Sequence, residues 1–550
     1  MARGTRSSRR RLLFAVVVGC ACAATAATYA AVQGTNTNPA SPSVTPPTAQ
    51  TAVAGTGSIA AGQQVVAQTY SKPPSPTPAQ AAYLKEFDQQ NVPAPNRVTA
   101  NPTTNPGPAV PEASVKAADA DYKRFAVRTP PVASFSGGSG YSSFTNEPSV
   151  AQSGQRVFLT GNWYAGKSTA YGGGSWTFLD PFSLFGNGFC CDQVALYDKA
   201  HDRVYWVLQF SDHLVVANSP SSDLTSWCYY NFYAGTIGQA STTELDFNDG
   251  MIGTRDLYLT TNVFPTSGFG SEVVRIPLEQ MATCGGIGFN YYSQLDSFTW
   301  RLVQGSNDRA YWGSDWDPTG SRPNGSSFRL FWWDESSGTL FWNNYTIDPF
   351  AFYVRNSGQN CASQDGVVKN WCQYADSRTL GAYRANGVIG FSMNANQGGF
   401  APFPYTVREY FRESDLAYLG HTNLWATNVG IQFLSLAPNS QGHVGGTYYW
   451  GGGTGTTHNY PGTAALVEDD VTPSQPWTND FFYPGRTNTC TYGGLYRWGD
   501  YSTTRANNAA DTTWIGAGYK HVGDCSTGYA QPVIVLFGRS RDSGNFARWR

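Results

Sequence analysis

The sequence predicts an all-β protein, a seven-bladed β-propeller with six blades as the alternative count, on three observations. First, a two-stranded unit recurs. Its clearest copy is residues 189–209, where Gln193-Val-Ala-Leu-Tyr and Arg203-Val-Tyr-Trp-Val-Leu-Gln flank the polar turn Asp198-Lys-Ala-His-Asp. Both runs are rich in β-branched and aromatic residues, which suit a pleated surface. Second, the copies are spaced about 45 to 80 residues apart, the scale of propeller blades. They include Arg156-Val-Phe-Leu-Thr, Thr254-Arg-Asp-Leu-Tyr-Leu, Asp308-Arg-Ala-Tyr-Trp, Asn386-Gly-Val-Ile-Gly-Phe, Gly442-His-Val-Gly-Gly-Thr-Tyr and Asp511-Thr-Thr-Trp-Ile-Gly. Third, aromatics are 15%, charged residues 13% and glycines 59 of 550, a balance for many short strands and tight turns rather than long helices.

Residues 1–32 read as an export signal: Arg3, Arg6, Arg9, Arg10 and Arg11 precede an apolar run from Leu12 and an Ala-rich stretch. Ser8-Arg-Arg-Arg-Leu-Leu is similar to a twin-arginine signal, and Val17-Val-Gly-Cys20 to a lipobox that would leave a lipid on Cys20. Cleavage near Ala27 or Ala31 is the plainer alternative, and retention as an anchor the third. The expected location is extracellular or on the bacterial cell surface, with membrane contact only through this segment. Residues 33–120 are dominated by Pro, Ala, Thr, Ser and Gln, a composition expected to stay a disordered linker, with a short helix from Pro78. Residues 121–550 hold the propeller. Its ends should meet in one blade, because an open ring leaves an exposed edge. Residues 124–127 and the apolar run Pro532-Val-Ile-Val-Leu-Phe-Gly are expected to complete it together.

Without Cys20 and Cys22, eight cysteines remain, an even number that fits an oxidising compartment. Proximity suggests Cys361 with Cys372, Cys490 with Cys525 and Cys228 with Cys284, leaving Cys190 and Cys191 to each other; eight cysteines allow 105 pairings.

Thr169-Ala-Tyr-Gly-Gly-Gly-Ser-Trp176 resembles the Asp-box of sialidase-superfamily (BNR) propellers, Ser-x-Asp-x-Gly-x-Thr-Trp, with Tyr171 where the Asp belongs. Ser221-Ser-Asp-Leu-Thr-Ser-Trp227 is a shortened version. Asn146-Glu-Pro-Ser-Val-Ala resembles the superfamily's inner-strand opening, and Trp498-Gly-Asp-Tyr501 its last-blade opening. The resemblance covers about residues 143–539. It implies a Tyr nucleophile assisted by a Glu and an Asp acid/base, for which Tyr501 and Asp192 or Asp376 stand here. The family's three-arginine carboxylate grip is not visible. Arg275-Ile-Pro277 matches part of its arginine motif but lies several blades late.

In a blade the first strand lines the axis, so residues that open it ring one mouth. That places Glu147, Asp192, Asp246 or Asp249, Asp376 with Arg378, and Asp500 with Tyr501 together, while Arg156, Arg203, Arg255, Arg309 and His443 fall on the far face. The loop after each second strand returns to the ring, bringing Asn162, Trp163, Gln209, Asn262, Asp315, Asp317, Asn394, His458 and His521. The catalytic candidates are Asp192, Asp376, Tyr501, Asp500 and Glu147. The ligand-binding candidates are Arg378, Trp163, Asn162, Gln193 and His458. Crowded carboxylates raise one another's pKa, so one can hold a proton while another stays charged, as glycoside cleavage requires. Alternatively each Asp only caps its blade by accepting backbone N–H bonds.

The expected partner is a glycan or polysaccharide, met by a glycosidase. The alternatives are a polysaccharide lyase using Tyr501 or His458 with Arg378, and a non-catalytic binder stacking sugars on Trp163, Trp316 and Trp450 or docking protein. A net charge of −2, with no Lys/Arg run beyond residue 11, gives no nucleic-acid surface. No cofactor motif is present; calcium at loop carboxylates such as Asp469 and Asp470 is the one metal considered. A monomer is expected.

Overall fold

Each hydrophobic run and polar turn named above becomes a hairpin, and seven such hairpins, extended outward, close a ring. The computed structural model describes residues 32–34, 48–80, 82, 122–132 and 145–545, apart from 316–324, 353–360, 365–367, 399, 455–456, 469–476, 485–489, 493–494 and 523–528. The inner strands, in order, are Ser149–Ser153, Phe189–Asp198, Glu244–Ile252, Arg301–Leu302, Thr379–Ala385, Gly430–Pro438 and Thr503–Ala506, defining blades 1 to 7. Each packs on the next, and the seventh packs on the first. The second strands begin at Arg156, Arg203, Asp256, Arg309, Val388, Val444 and Trp514, inside the recurring runs. Tyr122–Arg128 pairs with Tyr529–Arg539 as the outer strand of blade 7, so the propeller's two ends close the ring as expected. Both box-like sequences sit in the turn between third and fourth strands, of blades 1 and 2.

The expected disordered linker is ordered over much of its described part. Gln50–Ala52, Gly55–Ile59 and Gln63–Val66 add fifth strands to the rims of blades 4, 3 and 2, and Tyr70 bridges to Phe178 of blade 1. Val32–Gly34 pairs with blade 5. The segment is a strap running backwards round the disc. Composition misjudged it because the strap needs no core of its own: it caps the unpaired edges of four blades, and Ala52, Ala54, Ile59 and Val65 pack on blade cores. Gly55 and Gly57 lie over the Tyr291 and Phe289 rings, where a Cβ would come within 2.3 Å of ring carbons. A helical turn starts at residue 78, with Thr77 and Gln80 exchanging side-chain and backbone hydrogen bonds.

Cys190–Cys191, Cys228–Cys284 and Cys361–Cys372 are bonded as expected. The Cys490–Cys525 expectation lies outside the described residues.

One repeated device sets the ring. Counting from the start of each second strand, the seventh residue is Asn162, Gln209, Asn262, Asp315, Asn394, Trp450 and Lys520 in blades 1 to 7. Gln209, Asn262 and Asn394 each accept the backbone N–H that opens the next blade, from Phe247, Thr299 and Phe433, at 2.8–2.9 Å. These opening residues hold left-handed φ values of 54–60°, a conformation that costs a non-glycine residue stability unless its surroundings enforce it. The amide supplies that enforcement by satisfying the exposed N–H.

Candidate functional site

At the ring-side mouth the structure gathers Glu147 (blade 1), Asp192 (blade 2), Asp246 and Phe247 (blade 3), Asp376 and Arg378 (blade 5), and Arg497, Asp500 and Tyr501 (blade 7). Arg497 lies in the short strand Leu495–Arg497, just ahead of the blade 7 opening. Its guanidinium reaches Glu147 Oε1 and Asp500 Oδ2, both at 3.2 Å, and lies over the Tyr374 ring. Arg378 bridges Asp376 at 2.7 Å and Asp500 at 3.2 Å and stacks on Phe247, 4.7 Å from the ring centre. Burial pulls the Arg378 guanidinium toward neutrality, and its two carboxylate partners more than offset that pull. Asp376, Asp500 and Glu147 therefore carry cationic partners.

Asp192 does not. It is 7% exposed, and no hydrogen bond to its carboxyl is found among the described residues. Burial, then the negative charges of Glu147, Asp246 and Asp500, push it well above the ordinary carboxylate range, with Arg497 opposing. A neighbouring carboxylate kept charged beside one kept protonated is the arrangement acid–base chemistry needs.

Several sequence-derived assignments change. Glu147 is 2% exposed, and its carboxylate is filled by Asn162 Nδ2 (2.8 Å), Arg497 and the Asp500 N–H (2.9 Å), so it braces blade 1 to blade 7 rather than facing a ligand. Asn162 is its tie: it also accepts the Glu147 N–H, at 2.7 Å, and is buried. Gln193 is buried; it donates to the Gly161 and Tyr164 carbonyls and accepts from Trp206, holding blade 2 to blade 1. Trp163 and Trp450 are buried too, and present no face for a sugar. Tyr501 is buried, and burial, then Asp192 and Glu147, push its phenol well above the ordinary range, which opposes a phenolate nucleophile. His521 is buried beside Trp498 and Tyr519. The His458 side chain, Trp316, Asp317, Asp469 and Asp470 lie outside the described residues. Among the described residues, no group of three or more His, Cys, Asp or Glu could hold a metal.

Two features stand out that the sequence reading did not single out as site residues. Arg497 lies outside the recurring unit, so periodicity could not find it. Asp315 was placed at the ring only as a loop residue. It occupies the tie position of blade 4, facing blade 5 where Asp376 sits, yet it is a carboxyl: 4% exposed, with both oxygens unpartnered among the described residues. Burial, then Asp376, push its pKa well up. The signal was legible as the one acid at a position that amides fill in four of the other six blades.

Beneath the mouth, the Phe247 and Tyr501 rings meet edge-on at 5.8 Å across the axis and form its floor. Past them the inner strands carry Asp249, Arg301 and Arg505 at the next level of the axis, the throat of the ring.

No protein-family model matches the chain, and no curated protein matches it. Among solved structures, it is similar to a protein of unknown function from Dyadobacter fermentans, at 10% identity over 76% of this chain and 99% of that one, with a TM-score of 0.38. An α-L-arabinofuranosidase from Fusarium graminearum is similar at 7% identity over 72% and 98%, TM-score 0.36. A xylan β-1,4-xylosidase from Bacillus halodurans is similar at 12% identity over 51% and 53%, TM-score 0.27. Likenesses this faint carry no activity across.

Proposed function

We propose that this chain is an exported, glycan-acting propeller that cleaves a glycosidic bond at the ring-side mouth. Asp192 is the general acid that protonates the leaving oxygen. Asp376, the more exposed of the two carboxylates that Arg378 pairs, is the second carboxylate, which attacks the anomeric carbon or activates water, depending on the separation the bound sugar takes. Glu147, Arg497 and Asp500 position the pair. The observation that carries this reading is the buried carboxyl of Asp192, raised by its surroundings, beside carboxylates that pair with arginines.

Burial of Trp163 and Trp450 weighs against a stacking binder. The raised phenol of Tyr501 weighs against sialidase-type attack. The disulfides fit an oxidising compartment, and residues 1–32 supply the export signal. No helix among the described residues is long and apolar enough to cross a membrane.

The test is a panel of neutral and uronate-containing polysaccharides, read for new reducing ends and for unsaturated-uronate absorbance. Reducing ends without that absorbance, lost in Asp192→Asn, support hydrolysis. The absorbance would make the chain a lyase, and retention on the matrix without either signal would make it a binder.

A further inference from the structure

The geometry points to a binding site for a small monovalent anion in the throat of the propeller, between Arg301 and Arg505 and below the Phe247–Tyr501 floor. Arg505 belongs to the inner strand of blade 7, whose ring neighbours are blades 6 and 1. The charges it interacts with are Asp249 of blade 3 and Arg301 of blade 4. Those blades lie on the opposite side of a seven-membered ring, so the Arg505 side chain lies toward the propeller axis, within electrostatic reach of both. Among the described residues its Nε is buried with no partner, and its one hydrogen bond is a long one, 3.5 Å, to the carbonyl of neighbouring Thr504.

Asp249 cannot neutralise both arginines. Its Oδ2 already accepts the Leu302 N–H at 3.0 Å and faces Arg301 Nε at 3.3 Å. Among the described residues two guanidiniums thus share one carboxylate, leaving one positive charge uncompensated. Arg505 is partly exposed, but burial pulls its pKa down to about 10, with Asp249 opposing and Arg301 adding to the pull. An unpaired charge in such surroundings is strongly unfavourable, and one monovalent anion restores the balance. A guanidinium's forked donors suit it for anions. The aromatic floor separates this site from the mouth, so the anion is a structural component rather than part of the substrate.

The proposal is independent of the glycosidase reading, and so is its test. Thermal unfolding of the full chain is followed against chloride at constant ionic strength, with gluconate as the balancing bulky anion. Anything that binds only the folded state raises the midpoint saturably. Wild type should show that saturable rise, and Arg505→Met should lose it. In chloride-free buffer Arg505→Met should melt at or above wild type, because the uncompensated charge is gone. A parallel, unsaturated response in both proteins would overturn the site, as would a chloride-free midpoint below wild type. If the variant does not fold, crystals of wild type soaked in bromide decide: an anomalous peak between Arg301 and Arg505 supports the site, and none there ends it.

Discussion

The two layers of the axial channel carry opposite imbalances. At the mouth, five carboxyls (Glu147, Asp192, Asp246, Asp376 and Asp500) face two arginines, Arg378 and Arg497. In the throat, two arginines face one carboxylate, Asp249. The Phe247–Tyr501 contact keeps them apart. A surplus of carboxyls is relieved by keeping a proton, which an aspartate does readily. A surplus of guanidinium cannot be relieved that way near neutral pH and calls for a counter-ion. The same propeller axis thus provides a proton-holding site above and an anion-holding site below.

The sharpest way to break this comparison is Asp192→Asn. If the mouth's proton is used in chemistry, turnover on the responsive polysaccharide should fall by roughly 10²–10⁴-fold, while the melting midpoint holds or rises. A loss of stability without a specific loss of turnover would reduce Asp192 to a blade cap. The next largest effect is expected at Glu147→Ala, where the paired Arg497 is left buried. Denaturant unfolding should show a loss of about 3–5 kcal/mol, because Glu147 is the brace and Asp192 is not.

Asp315→Asn separates function from architecture in the opposite sense. It supplies the amide that blades 2, 3 and 5 use at this position and removes an unpartnered carboxyl, so stability should rise by about 1 kcal/mol. A fall would mean that Asp315 is paired in solution.

The smallest expected effect is on pH dependence. Below about pH 4 both folded and unfolded chains hold a proton on Asp192. As pH rises, the unfolded chain releases its proton first, because the folded carboxyl is raised. The folded state then binds more protons, so this residue's contribution to stability falls from about pH 4 upward, until the folded group itself titrates. The wild-type stability profile measured by urea unfolding from pH 4 to 8 should therefore drop more steeply than that of Asp192→Asn. Equal slopes would place an ordinary carboxylate there.

The blades were legible in the sequence because each second strand begins with a compact β-branched and aromatic run after a polar turn, which burial of both sheet faces requires. Closure by residues 124–127 was legible because an open edge must be paired. The strap was not: Gly55, Gly57 and their neighbours look like linker when read alone, and only the aromatic rims of other blades give them a reason to order. The mouth was legible as a set of acids but not as a set of roles. Glu147 and Asp192 occupy similar positions in the sequence pattern, and what distinguishes them is Arg497 and Asn162, which sit on other segments and hydrogen-bond to Glu147 but not to Asp192. Trp163 and Trp450 were expected as stacking faces and Gln193 as a ligand contact, yet blade packing claims their surfaces. Asp315 needed the alignment of seven strand starts before its departure from the amide column became visible.

The most direct test is infrared difference spectroscopy of the substrate-free protein at neutral pH, wild type minus Asp192→Asn. The variant should lose a neutral carboxylic-acid carbonyl band. Loss of ionised carboxylate bands alone would contradict a protonated Asp192.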